Sequence, residues 1–245
     1  MTTLTKAMIF AAGRGERMRP LTDHTPKPLL EAGGKPLIVW QIERLAHAGF
    51  RTIVINHAWL GERIEAALGD GSRWGVQLRY SPEQEALETA GGIAQALPLL
   101  EDGAASEIFL GVAGDVYADF DYARLHVHAG RLASLAEPGM HLVMVPNPPF
   151  HPNGDFGLVD GVVSNDAQPR LTFGSIALYD TRMFRGLPPG TRCALTPYYK
   201  ETIARGLASG ELYEGVWENV GTPEQLQELD ERLRLATATP GIARQ

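Results

Sequence analysis

A chain of 245 residues, 44% hydrophobic and 21% charged, has ordinary globular composition and suffices for one sizeable α/β core or two small ones. Its net charge of −7 excludes a general nucleic-acid binder, which needs a basic surface, yet leaves room for a small anion met by a local cluster of cations. The lone cysteine, Cys193, excludes an internal disulfide and a cysteine-rich zinc site; no apolar run reaches the length of a membrane span, so a cytoplasmic protein is expected.

The first predicted element is a strand, Ala7-Met8-Ile9-Phe10. It runs directly into Ala11-Ala12-Gly13-Arg14-Gly15-Glu16-Arg17-Met18-Arg19-Pro20-Leu21-Thr22 and on to Pro26-Lys27-Pro28-Leu29. Glycines let a main chain turn tightly and aim N–H groups at an anion, and the arginines neutralise it, so this loop points to polyphosphate. It is not a dinucleotide fingerprint, because Met18 stands where the third glycine belongs, and it lacks the Gly-Lys-Ser/Thr ending of a P-loop.

Apolar spacing then predicts a helix over 37–48, stopped by Gly49, a strand over 51–55, a helix over 60–68, a strand over 76–80 and a helix over 89–97. A buried strand over 108–112 leads into Ala113-Gly114-Asp115. Such alternation implies parallel strands with right-handed crossovers and functional residues at the strands' carboxyl ends, near a switch point in strand order. Asp115 occupies such an end. A carboxylate there can hold Mg²⁺ together with substrate phosphates. Its other reading, a turn or helix-capping aspartate, suits Asp119 and Asp121 better.

The second half reads as a strand over 141–145, a Pro/Asn/Gly-rich loop over 146–155, and antiparallel strands around 156–163 and 171–179. A helix over 197–207, a strand over 212–216 and a helix opening at Pro223 and running to 235 complete it, with 236–245 a loose tail. The fold expected is α/β and Rossmann-like: a mixed, mostly parallel sheet flanked by helices, with a smaller antiparallel part. One domain spans 1–235, in halves 5–140 and 141–235, with no internal repeat.

The string from Ala11 to Leu29 resembles the signature of the sugar nucleotidyltransferases, which make nucleoside-diphosphate sugars; the resemblance extends from Lys6 to about Leu226. It implies a nucleotide-binding first half, a sugar-binding second half and Mg²⁺ as cofactor. It implies that main-chain groups of Ala12, Gly13, Gly15 and Glu16 cradle the phosphates, that Arg17 stabilises the triphosphate and the leaving pyrophosphate, and that Lys27 reaches the phosphates where attack occurs. Asp115 matches the family's metal aspartate. Glu83 and Thr89 match the base-binding segment; the Glu83 carboxylate can accept from N3–H of uracil or equally from N1–H and N2–H of guanine. Asn147 and Gly157 match positions facing the sugar phosphate. Asn219, in Trp217-Glu218-Asn219-Val220-Gly221-Thr222, stands where the family has a second metal aspartate. Its amide oxygen can ligate Mg²⁺ without adding charge, with Glu218 or a water filling in. Strings such as Leu87-Glu88-Thr89-Ala90-Gly91-Gly92-Ile93 lean toward the family's uridylyltransferases, so UTP is the favoured triphosphate and a sugar 1-phosphate the second substrate. Neither nucleic acid nor membrane is an expected partner.

Overall fold

The structure, a computed structural model, describes residues 4–103 and 107–238. Strand β1 (Lys6–Phe10) has fully buried Ala7, Met8 and Ile9, as a strand covered on both faces must. A small hairpin, β2 (Glu31–Ala32) with β3 (Lys35–Pro36), follows the glycine loop. Then come α1 (Leu37–His47), β4 (Thr52–His57), α2 (Gly61–Leu68), β5 (Gln77–Pro82), α3 (Glu88–Leu100) and β6 (Ile108–Ala113). β4 joins one side of β1 in parallel and β5 extends outward from it, whereas β6 returns to the other side of β1, also in parallel. The strand order therefore reverses between β1 and β6.

The remaining elements are β7 (Val116–Ala118), α4 (His126–Ala133), β8 (Met140–Val145), β9 (Phe156–Val159), β10 (Val162–Ser164), β11 (Arg170–Asp180), α5 (Thr196–Ala204), β12 (Ala208–Leu212), β13 (Trp217–Asn219) and α6 (Pro223–Ala238). One sheet of nine strands, in the order β5-β4-β1-β6-β11-β8-β12-β10-β9, runs through both halves. β11 is antiparallel to β6, β8 and β9, while β12 lies parallel to β8, so the second half is mixed. β7 and β13 form a separate antiparallel ribbon.

Alternation along β1 divides the interior. Ala7 and Ile9 pack with Ile38, Ile42 and Leu45 of α1, while Met8 packs on the opposite face with Ile93, Leu97 and Leu100 of α3. A third cluster joins Met18, Leu30, Leu37, Tyr117 and Val220 to Leu229 and Leu233 of α6. None of the described helices is long and apolar enough to cross a membrane.

Two expectations need correction, and one helix was not expected at all. The strand anticipated at 212–216 is β12, at Ala208–Leu212; its Ala-Ser-Gly-Glu-Leu sequence is a poor strand former, and pairing with β8 and β10 decides its state. Helix α4 was not anticipated, because Val127 places an apolar side chain 73% exposed on its outer face and blurs the pattern. Helix α6 continues to Ala238, past the expected end at 235, and the rest of the anticipated tail, 239–245, lies outside the described residues.

Candidate active site

The switch in strand order creates a cleft where β1 and β6 end. Gly114 seals the two strands by donating its N–H to the Phe10 carbonyl at 2.9 Å; a side chain there would meet that oxygen at 3.0 Å. A cavity of about 360 Å³ opens above this point, lined by Ala11, Gly13, Gly15, Glu16, Arg17, Lys27, Asp115 and Gly221, among others. The predicted phosphate loop, Lys27 and Asp115 thus meet at one place.

The two loop glycines differ. Gly15 has φ +69°, and a Cβ on it would stand 3.0 Å from Cβ of Lys27, so it is required by both conformation and crowding. Thr22 fixes the turn by donating its hydroxyl to the Gly15 carbonyl at 2.9 Å. Gly13 has no described atom within 4 Å of a would-be Cβ and faces open cavity. The main-chain N–H groups of Gly13, Arg14 and Gly15 donate to no acceptor among the described residues, which leaves them for water or an anion. Met18, fully buried in the third cluster, anchors the turn that carries Arg17, whose guanidinium lies against Gly221.

Lys27 is 8% exposed, with its stem packed on Gly15 and its ammonium donating to Oδ2 of Asp115. Oδ1 of Asp115 carries no hydrogen bond among the described residues, and the side chain is partly open to the cavity. A single hard carboxylate oxygen beside a phosphate-sized cavity is the donor set that Mg²⁺ shares with substrate phosphates, so these residues fit such an ion. Asp121 caps the turn at Tyr122–Leu125 through the Ala123 N–H at 3.0 Å, and Asp119 pairs with Arg44 at 2.7 Å, so of the three carboxylates Asp115 is the one that lines the cavity.

Other expected site residues lie apart from this cavity. Asn219 pairs with Val116 across the β7–β13 ribbon, one residue from Asp115, but lines a neighbouring cleft with Pro148, Phe150, Trp217 and Gln225. Glu218 lines that same cleft and is bound by Arg232 of α6. Asn147 ties its loop to β11: its Nδ2 donates to the carbonyls of Pro152 at 3.1 Å and Arg170 at 2.9 Å, and its Oδ1 accepts from Thr172 at 2.9 Å. Gly157 lets the 167 backbone approach, since a Cβ would sit 2.5 Å from the Ala167 carbonyl. Thr89 is the second residue of α3, outside the cavity's lining.

Glu83 is 6% exposed and lines a second, larger cleft with Pro82, Gln84, Leu87 and Arg192. Both its carboxylate oxygens are engaged, Oε1 by Asn56 Nδ2 at 2.7 Å and Oε2 by the Leu87 N–H at 2.8 Å. Burial pushes its pKa up from the usual carboxylate range, against the pull of these two hydrogen bonds. Asn56 is the residue joining the two clefts that sequence reasoning missed. It lies in β4 opposite Phe10, and its Oδ1 accepts the Ala11 N–H at 3.1 Å, so it couples the phosphate loop to the Glu83 loop. An amide closing the apolar run Ile53-Val54-Ile55 was the available signal.

The nucleotidyl transferase family profile matches residues 6–167, and the chain belongs to that family. It is a sugar nucleotidyltransferase of Rossmann-like α/β fold. It is 50% identical over 227 residues to N-acetylmuramate alpha-1-phosphate uridylyltransferase of Neisseria meningitidis, covering 91% of this chain and 96% of that one. The enzyme of the same name from Caulobacter vibrioides is 34% identical over 244 residues, covering 93% and 96% respectively. Among solved structures, a candidate glucose-1-phosphate thymidylyltransferase of Bacillus anthracis superposes with a TM-score of 0.79 at 20% identity, over 98% of this chain and 97% of that one, a likeness of fold.

Proposed function

We propose that this enzyme transfers a uridylyl group from UTP to N-acetylmuramic acid α-1-phosphate, releasing pyrophosphate, in the cytoplasm and within cell-wall recycling. The observation that carries the transfer chemistry is the convergence of the free loop N–H groups, Arg17, Lys27 and Asp115 on one cavity at the switch point. The choice of base and sugar is supported by half-identity across nearly the full length of the Neisseria relative.

A phosphate oxygen of the sugar 1-phosphate attacks the α-phosphorus in line; the new P–O bond forms as the bond to the bridging oxygen breaks, and that oxygen leaves with pyrophosphate. The protein's work is positioning and charge neutralisation. Gly13 to Gly15 N–H groups and Arg17 hold the outer phosphates and the departing pyrophosphate. Lys27, fixed by Pro26 and Pro28 and by the Gly15 contact, presents its ammonium to the oxygens around the reacting phosphorus. Asp115 would hold Mg²⁺, which would offset the negative charge of the triphosphate.

The test is pyrophosphate release over a panel of nucleoside triphosphates and sugar 1-phosphates. Turnover with UTP and N-acetylmuramic acid α-1-phosphate is expected, with Arg17→Ala lowering kcat/KM by about a hundredfold or more. Turnover confined to GTP and mannose 1-phosphate would replace the uridylyl reading with a guanylyl one. Ligand binding without turnover of any pair would make the protein a nucleotide-sugar sensor.

A further inference from the structure

Parallel strands β8 and β12 are in register with Ser209 opposite His141 and Glu211 opposite Val143. Side chains alternate between sheet faces, so His141, Ser209 and Glu211 share the face of Val143, which packs with Ala129 and Leu132 of α4. Helix α4 thereby lays His128 over His141, the two rings stacked at 3.8 Å and 14°. One nitrogen from each ring and one oxygen of Glu211 all lie within 4.8 Å of one another.

The polar atoms of this cluster are unevenly satisfied. His141 is 1% exposed and its Nδ1 lies 2.9 Å from the Ser209 hydroxyl. Glu211 Oε2 accepts from Arg124 at 2.6 Å. The remaining atoms, His141 Nε2 and Glu211 Oε1, face each other at 3.6 Å, and both are buried without a hydrogen-bond partner among the described residues. An unpaired nitrogen and an unpaired carboxylate oxygen, buried side by side, are costly unless something else joins them.

We propose that His128, His141 and Glu211 form a binding site for a divalent transition-metal ion of the zinc class, separate from the Asp115 cavity. Two imidazoles and one carboxylate are a donor set that suits zinc, with water completing the tetrahedron on the partly open His128 side. Ser209, accepting from Nδ1–H, leaves the lone pair of His141 on Nε2, and Arg124 fixes the carboxylate with Oε1 turned inward, which are the outer contacts that metal ligands need. Ligands of a tetrahedral zinc stand about 3.4 Å apart, so His128 must rotate out of its stack toward His141 and Glu211.

The register places His141 level with Leu178, Leu110 and Ala7, toward the strand ends opposite the phosphate loop. The ion would therefore tie α4 to β8 and β12 without touching the nucleotide.

A Co²⁺ titration of the full chain, read by visible absorption and reversed by Zn²⁺, tests this site. One ion per chain with the intense bands of four-coordinate, nitrogen-ligated cobalt is expected. Affinity should fall about tenfold or more in His128→Gln and in His141→Gln, and hold in Asp115→Asn. His128 is partly exposed, so its variant reports on the site even where the buried His141 variant fails to fold. Absence of these bands in the native protein, their survival in His128→Gln or their loss in Asp115→Asn would overturn the proposal.

Discussion

Gly13 and Gly15 stand two positions apart in one loop and serve different ends. Gly15→Ala forces a positive φ on alanine and crowds Cβ of Lys27 and Cγ2 of Thr22. Urea unfolding should show a loss of about 1–2 kcal/mol, and kcat should fall as Lys27 is displaced. Gly13→Ala meets no atom of the described residues within 4 Å, so stability should stay within about 0.5 kcal/mol while calorimetry shows weaker UTP binding, because the new methyl enters the cavity. Undiminished UTP affinity in that variant would mean the phosphates do not pass over Gly13. Both glycines, Arg17 and Lys27 were legible because their geometry is local and their order in the chain is the signal. Asn56 was not, since its link between Ala11 and Glu83 exists only once β1 and β4 align Phe10 with Asn56. Glu83, read as a base partner, also holds Asn56 and the Leu87 N–H through its two oxygens, contacts that chain order does not reveal.

At the level of elements, the start of α6 does more than end a loop. Thr222 and Gln225 form a reciprocal cap: the Thr222 hydroxyl accepts from the Gln225 N–H at 3.3 Å, and Gln225 Oε1 accepts from the N–H groups of Gly221 at 2.7 Å and Thr222 at 3.1 Å. Gly221 lies against the Arg17 guanidinium, so the cap also sets one wall of the cavity. Gln225→Ala should cost about 1 kcal/mol in thermal or urea unfolding and raise KM for the triphosphate. An unchanged KM beside the stability loss would show that the wall does not depend on the cap. The helix start was legible from Pro223, but the partnership with Arg17 was not, because the two residues meet only through the buried cluster of Met18, Val220 and Leu229. Strand β12 was misplaced for a related reason: Gly210 and Ser209 hide a strand that its neighbours impose.

For the whole molecule, residue 140 does not separate two folding units. Both main clusters cross it: Ile9 and Ile53 pack with Val143 and Leu178, while Met8 and Val54 pack with Met144 and Tyr179. β11 bridges the halves, and Trp217 donates to the Gly174 carbonyl at 2.8 Å. Unfolding followed by circular dichroism, by fluorescence of Trp217 alone and by fluorescence of Trp40, Trp59 and Trp74 should give coincident transitions. Separated midpoints would mean two independent domains. The third cluster adds a constraint in time. Met18 is held by Val220 and Leu229, so the turn presenting Arg17 has its support only after α6 has left the ribosome. A nascent chain therefore carries the glycine loop well before the segment that supports it has been made.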